Sequence, residues 1–203
     1  MRRMRWFLAP CLALALAGPS ALFAQETGKN ADPIAENGAP ADDKQVALDA
    51  LLKQLKTADN EQTASVIEEA VWQLWLRSGS DTVDLLMSRV ADAMKEEDHS
   101  LALDLLNRVV DIKPDYAEGW NKRATVLFFF RDYARSLQDV ERVLNLEPRH
   151  FGALSGLGLI MQEFGDRERA LQAFRRALEI HPFLPAAVRA EKQLSQELEG
   201  RGI

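Results

Sequence analysis

The chain has 203 residues, enough for one sizeable domain, with 31 acidic residues against 25 basic ones and a single cysteine. One cysteine excludes an internal disulfide and a cysteine cluster for metal, and the acidic balance runs against a nucleic-acid or anionic-membrane surface, which needs a basic face. His99, His150 and His181 stand far apart, each beside an expected turn, so they read as solvated or capping side chains, and no metal or cofactor is expected.

Residues 1–24 have the layout of a secretory signal. Arg2, Arg3 and Arg5 form the basic start, Trp6 to Ala17 the apolar run, Gly18-Pro19 the break, and small residues lead to Ala24 as the last residue removed. Leu22 occupies a position where alanine is preferred. The run is too short and interrupted for a comfortable transmembrane helix. A retained, uncleaved anchor is the alternative, and membrane contact is expected only in that case. Cys11 follows Pro10 with little apolar sequence before it, a poor lipoprotein site, and reads as filler that leaves with the signal. Residues 25–43 carry two prolines, two glycines and one large aliphatic residue, Ile34, too little apolar surface to offset ordering. They read as a flexible tether, with a short recognition segment around Ile34 as the alternative.

Residues 44–80 predict a degenerate helical hairpin. Val46, Leu48, Leu51, Leu52 and Leu55 mark one helix; Val66, Ile67, Ala70, Val71, Leu74 and Trp75 mark the next. Asn60 is a candidate cap for the second helix and Ser80 for the one that follows. Trp72 and Trp75 stand where a regular repeat would have smaller residues. The hairpin therefore reads as an atypical terminal unit with both tryptophans in the core. Their exposure would instead create a binding or self-association patch.

From residue 83 a period appears. Pro114, Pro148 and Pro182 are 34 residues apart, as are Asp98, Asp132 and Asp166, the small Ala102, Ser136 and Ala170, and the large Leu106, Val140 and Phe174. Within each unit two apolar stripes at i, i+3, i+4, i+7 spacing meet at a turn, best seen at Gly165-Asp166, where glycine ends one helix and aspartate caps the next. Self-similarity at one period marks a repeat architecture.

The pattern resembles the tetratricopeptide repeat, carried by Trp120, Ala124, Leu127, Ser136, Val140, Val143 and Pro148, and by Leu154, Leu157, Gly158, Met161, Ala170, Phe174, Ala177 and Pro182. The unit before them is looser: Val90 takes a place where a small residue is usual, which predicts a less tightly closed hairpin. The resemblance implies an all-α solenoid of antiparallel hairpins, with repeats at 83–116, 117–150 and 151–184, closed by a polar-faced capping helix over 185–200. Gly158 inside a helix costs stability unless two helices approach there.

The resemblance also implies a concave groove lined by the first helix of each unit. The candidate binding residues are Asn121, Lys122, Thr125, Phe128 and Phe129 with Ser155, Leu159 and Gln162; Met87, Ala91, Met94, Lys95 and Glu163 extend the same face. Asn121 would clamp a peptide backbone, and Phe128 and Phe129 are weighed equally as apolar anchors or core; Leu127 and Phe130 are assigned to the core. Some members of the family capture a carboxylate terminus with basic residues. Here Gly152, Ser155, Gly156 and Leu159 replace them, so a helix or extended segment with an apolar face is the expected partner. No catalytic residues are found: Gly156-Leu157-Gly158 lies within a helix, and no serine or histidine has a nucleophile context. The expectation is a non-enzymatic interaction module exported to the periplasm, with an anchored assembly subunit and an enzyme or small-ligand protein as the competing readings.

Overall fold

The computed structural model describes residues 39–200. The signal, Cys11 and most of the tether, with Ile34, lie outside the described residues. Nine helices are described: α1 (Ala39–Lys56), α2 (Glu61–Leu76), α3 (Asp81–Lys95), α4 (His99–Ile112), α5 (Ala117–Phe129), α6 (Tyr133–Leu146), α7 (Phe151–Glu163), α8 (Arg167–Ile180) and α9 (Pro185–Glu199). The first helix starts at Ala39, before the expected residue 44, with Pro40 in its first turn, where a missing N–H breaks no helical bond.

Helices α3–α4, α5–α6 and α7–α8 are antiparallel pairs, and α9 packs on α8. Each pair turns in the same way. Glu97, Arg131 and Gly165 hold left-handed φ values of 59°, 58° and 76°. The N–H groups of Asp98, Asp132 and Asp166 reach back to the carbonyls of Ala93, Leu127 and Met161. That closes the first helix with the six-to-one bond of a Schellman turn. The three aspartate side chains then accept the N–H groups of Leu101, Arg135 and Arg169 and start the second helix. The turn ends the apolar stripe of α5 at Phe129. Phe130, expected in the core, falls in the turn and is 47% exposed.

The interior of each pair is set by size. Gly158 has no Cβ because the Phe174 ring fills its place: an added carbon would sit 2.6–2.8 Å from three ring atoms. One period earlier the equivalent residues are Ala124 and Val140, and before that Val90 and Leu106, all buried. A larger residue on the first helix is matched by a smaller one than phenylalanine on the second, so Val90 is accommodated. Ser136 is buried and donates its hydroxyl to Ala124 O at 2.8 Å. Arg123 binds both oxygens of Asp139 at 2.8 Å and lies 4.7 Å from the Trp120 ring, tying α5 to α6.

The opening hairpin has a seam of its own: Leu48, Leu52 and Leu55 of α1 meet Ala64 and Val71 of α2. Asn60 caps α2 by accepting from Thr63 N at 2.9 Å. Val46 and Val66, placed on the apolar stripes by spacing, face solvent, because the hairpin buries one side only. Ser80 makes no capping bond; Ser78 does the work at that corner, donating its hydroxyl to Asp84 at 2.5 Å and accepting from Ser80 N at 3.1 Å.

The hairpin does not simply extend the stack at α3. It lies along the N-terminal halves of α5 and α7 and the connections after α6 and α8. Asp49 meets Arg149 at 2.7 Å, Glu68 meets His181 at 3.0 Å, and Leu76 O accepts the Tyr116 hydroxyl at 2.8 Å. Phe151, Ile180, Phe183 and Leu184 complete its apolar contacts.

Candidate functional site

The repeat register sets α5 beside α7 and gives both the same inward stripe. On α5 it runs Glu118, Asn121, Lys122, Thr125, Phe128, Phe129; on α7 it runs Gly152, Ser155, Leu159, Gln162. The hairpin divides this surface into a covered half and an open half.

The covered half centres on Glu118, whose side chain is fully buried. Asn121 Nδ2 donates to its Oε2 at 2.9 Å, and Lys122 Nζ lies 3.1 Å from its Oε1. His150 Nδ1 accepts the Ala153 N–H at 3.0 Å as the cap of α7, so Nε2 carries the ring proton and donates to Glu118 at 3.1 Å. Burial pushes the Glu118 carboxyl up, but the His150 bond and the Lys122 charge prevail and hold it below its usual range. Burial, then the Glu118 charge, pushes the Tyr116 phenol up, so it stays a donor to Leu76 O.

Over this floor lies α2. Trp75 is buried and stacks on His150 with centroids 4.1 Å apart and planes 10° apart. Trp72 is half-buried, edge-on to Trp75 at 5.1 Å, with Lys122 Nζ 5.6 Å from its ring. A Cβ on Gly152 would come within 2.8 Å of the Trp72 indole. Trp72 also donates to Glu68 at 3.1 Å.

The expected binding residues therefore fall in two groups. Asn121 and Lys122 belong to the covered half; Asn121 is 9% exposed and donates to Glu118, so little of its amide is open to a peptide backbone. Thr125, Phe129 and Leu159 are exposed on the open half, Phe129 at 56% and Leu159 at 45%. Gln162, Phe128 and Ser155 are half-buried. Phe128 packs on Tyr133 with centroids 5.2 Å apart, and Phe129 stacks on His99 at 5.0 Å. Ser155 Oγ is buried without a hydrogen-bond partner. On α3, Met87 is buried, Met94 half-buried, and Ala91 and Lys95 exposed; Glu163 is exposed on α7.

Sequence reasoning passed over Glu118 and took Gly152 only as the replacement of a basic groove residue. Glu118 stands three residues before Asn121 on the same stripe, and Gly152 three before Ser155, so both were within reach of the periodicity that found their neighbours. From their spacing His150 and His181 read as solvated or capping. His150 does cap α7, yet both rings are buried, each against a carboxylate brought from a distant segment. Among the described residues there is no group of three histidine, cysteine, aspartate or glutamate side chains that could hold a metal, and no helix long and apolar enough to cross a membrane.

No protein-family model matches the chain. A TPR repeat-containing protein of Rhizobium etli is 38% identical over 104 residues, which are 51% of this chain and 50% of the relative, so the chain spans about half the length of that curated protein. Among solved structures, the Sgt2 TPR domain from Aspergillus fumigatus superposes with a TM-score of 0.56 at 22% identity, over 61% of this chain and 83% of that one. The Arabidopsis OM64 TPR domain gives 0.55 at 19%, over 57% and 96%. The first TPR of RPAP3, solved with an HSP90 peptide bound, gives 0.55 at 21%, over 58% and 93%. The fold is a tetratricopeptide-repeat solenoid of antiparallel hairpins.

Proposed function

We propose that this protein is a non-enzymatic interaction module, exported to the periplasm, that holds an apolar-faced segment of an envelope protein on the concave side of its repeats and acts there as adaptor or assembly scaffold. The observation that carries the reading is the exposure of Thr125 and Phe129 on α5 and of Leu159 on α7, first helices of neighbouring repeats. Large apolar side chains left open beside a hydroxyl suit an amphipathic or extended segment. The RPAP3 neighbour binds its HSP90 peptide as a TPR domain, which supports a peptide-binding role. An acidic terminus is the poorer fit here, because Lys122 is already engaged by Glu118 and Trp72. Export rests on the basic start, apolar run and small-residue end of residues 1–24.

The test is capture from an envelope fraction with the parent chain beside a Phe129→Ser, Leu159→Ser variant of matched helicity and melting. A partner held by the parent and lost by the variant supports the open half as the site; one held equally by both overturns it. The N-terminus of the protein from a periplasmic fraction is expected at Gln25. A chain recovered in the membrane pellet and still starting at Met1 overturns cleavage and favours the anchored reading.

A further inference from the structure

The α1–α2 hairpin sits on the covered half as a ligand sits in a groove. Its own seam of Leu48, Leu52, Leu55, Ala64 and Val71 joins the two helices and meets the solenoid at Phe151. The aromatic part of its grip on the solenoid is a short motif on one helix: Glu68, then Trp72 one turn on, then Trp75. Trp72 rests on the bare backbone of Gly152, Trp75 stacks on His150, and Glu68 meets His181 at 3.0 Å while accepting the Trp72 indole N–H. Aromatic anchors at helical spacing with a charged neighbour are how an amphipathic helix engages a groove. Two further fasteners, Asp49 to Arg149 and Lys122 to Trp72, lie at the solvent-facing rim, while the Tyr116 hydroxyl donates to Leu76 O and Phe151, Ile180, Phe183 and Leu184 complete the apolar contact. The fit also leaves the Trp75 indole N–H buried without an acceptor, which weakens docking.

We propose that α2 is an exchangeable internal occupant, and that the floor formed by Glu118, His150, Phe151 and Gly152 receives a partner helix of the same chemistry: two aromatic residues three positions apart, with a carboxylate four positions before the first. The hairpin opens as a unit, and the partner helix takes the place of α2. This rests on the concave face being the recognition surface and names the kind of partner its covered half selects.

The experiment uses the full chain with Cys11→Ser and, as probe, a fluorescein-labelled peptide copying residues 59–78. Three proteins are compared: the parent, Glu68→Ala, which loosens α2, and Asp49→Cys with Arg149→Cys joined by a short bis-maleimide, which holds the hairpin down. Apparent affinity scales with the fraction of chains whose groove is open. The probe is expected to bind Glu68→Ala about tenfold more tightly than the parent, in proportion to a tenfold rise in open chains, and to lose binding to the cross-linked chain. Native-state hydrogen exchange of the parent is expected to show α2 opening while α5 and α7 stay protected. Equal binding to all three proteins, no binding to any, or exchange of α2 only together with α5 and α7 overturns the proposal. The Phe129→Ser, Leu159→Ser variant leaves the covered floor intact, so failure of the probe is distinguishable from failure of the capture experiment.

Discussion

Gly152 and Trp72 form a fitted pair: the indole edge occupies the place where any other residue at 152 would carry its Cβ, 2.8 Å away. Gly152→Val is expected to lift Trp72, weaken the edge-on Trp72–Trp75 contact and cost about 1–3 kcal/mol as overpacking. Urea titration and near-ultraviolet circular dichroism check this. Unchanged tryptophan dichroism in the variant would show that the ring does not rest there.

Gly158 and Phe174 are a second pair of this kind, inside the last repeat. Gly158→Ala gains about 1 kcal/mol of helix propensity but drives a methyl into the ring, and overpacking of about 1–3 kcal/mol decides the sign. A net loss of stability is expected in the parent and a smaller one in a Phe174→Leu background, where the space is open. A double-mutant cycle measures this, and strict additivity would refute the contact.

Glu118 is ionised in the fold, and its carboxyl sits below the ordinary value of 4.5 because His150 and Lys122 outweigh its burial. A lowered carboxyl contributes stability that is complete above its unfolded value and lost as pH falls through its folded one. Parent stability should exceed that of Glu118→Gln by about 1–3 kcal/mol at neutral pH, where the hydrogen bonds to the charge are made. The gap should stay level down to about pH 5 and narrow below it. Denaturant titrations across that range read it, and a gap that widened in acid would contradict the assignment.

At the corner between α2 and α3 the two serines have unequal roles. Ser78→Ala removes the bond to Asp84 and the acceptor for Ser80 N, and is expected to cost about 1–2 kcal/mol. Ser80→Ala removes no cap and should change stability by less than about 0.5 kcal/mol. Thermal melts of the two variants, run together, settle the order.

The repeat half of the molecule was legible because its signals are local and recur: aspartate caps and buried small residues return every 34 residues, and Gly158 declared a close approach before the ring that fills it was known. Phe130 was misplaced because periodicity runs on through a turn, whereas the chain leaves the helix at Arg131 with φ 58°. The seat of the hairpin was not legible. Trp72 and Trp75 announce a need for cover, but the residues that supply it, His150, Phe151 and Gly152, are some eighty positions away and follow a different period. Asn121 reads in sequence as a clamp for a partner's backbone because its amide looks available; Glu118, three residues before it on the same helix, takes one of its N–H groups, and only the fold shows how little of the amide stays exposed.

The two long-distance fasteners of the hairpin have a kinetic consequence. A repeat array is held by nearest neighbours, so its contacts are short in sequence and it can assemble from any point. Glu68 and His181 are 113 positions apart, and Asp49 and Arg149 are 100 apart. Such contacts raise the loop-closure cost and slow the step that forms them. The hairpin is thus made well before its seat: until His150 and Phe151 have been synthesised Trp75 has no ring to stack on, until His181 follows Glu68 has no imidazole to meet, and the growing chain carries both tryptophans in the open.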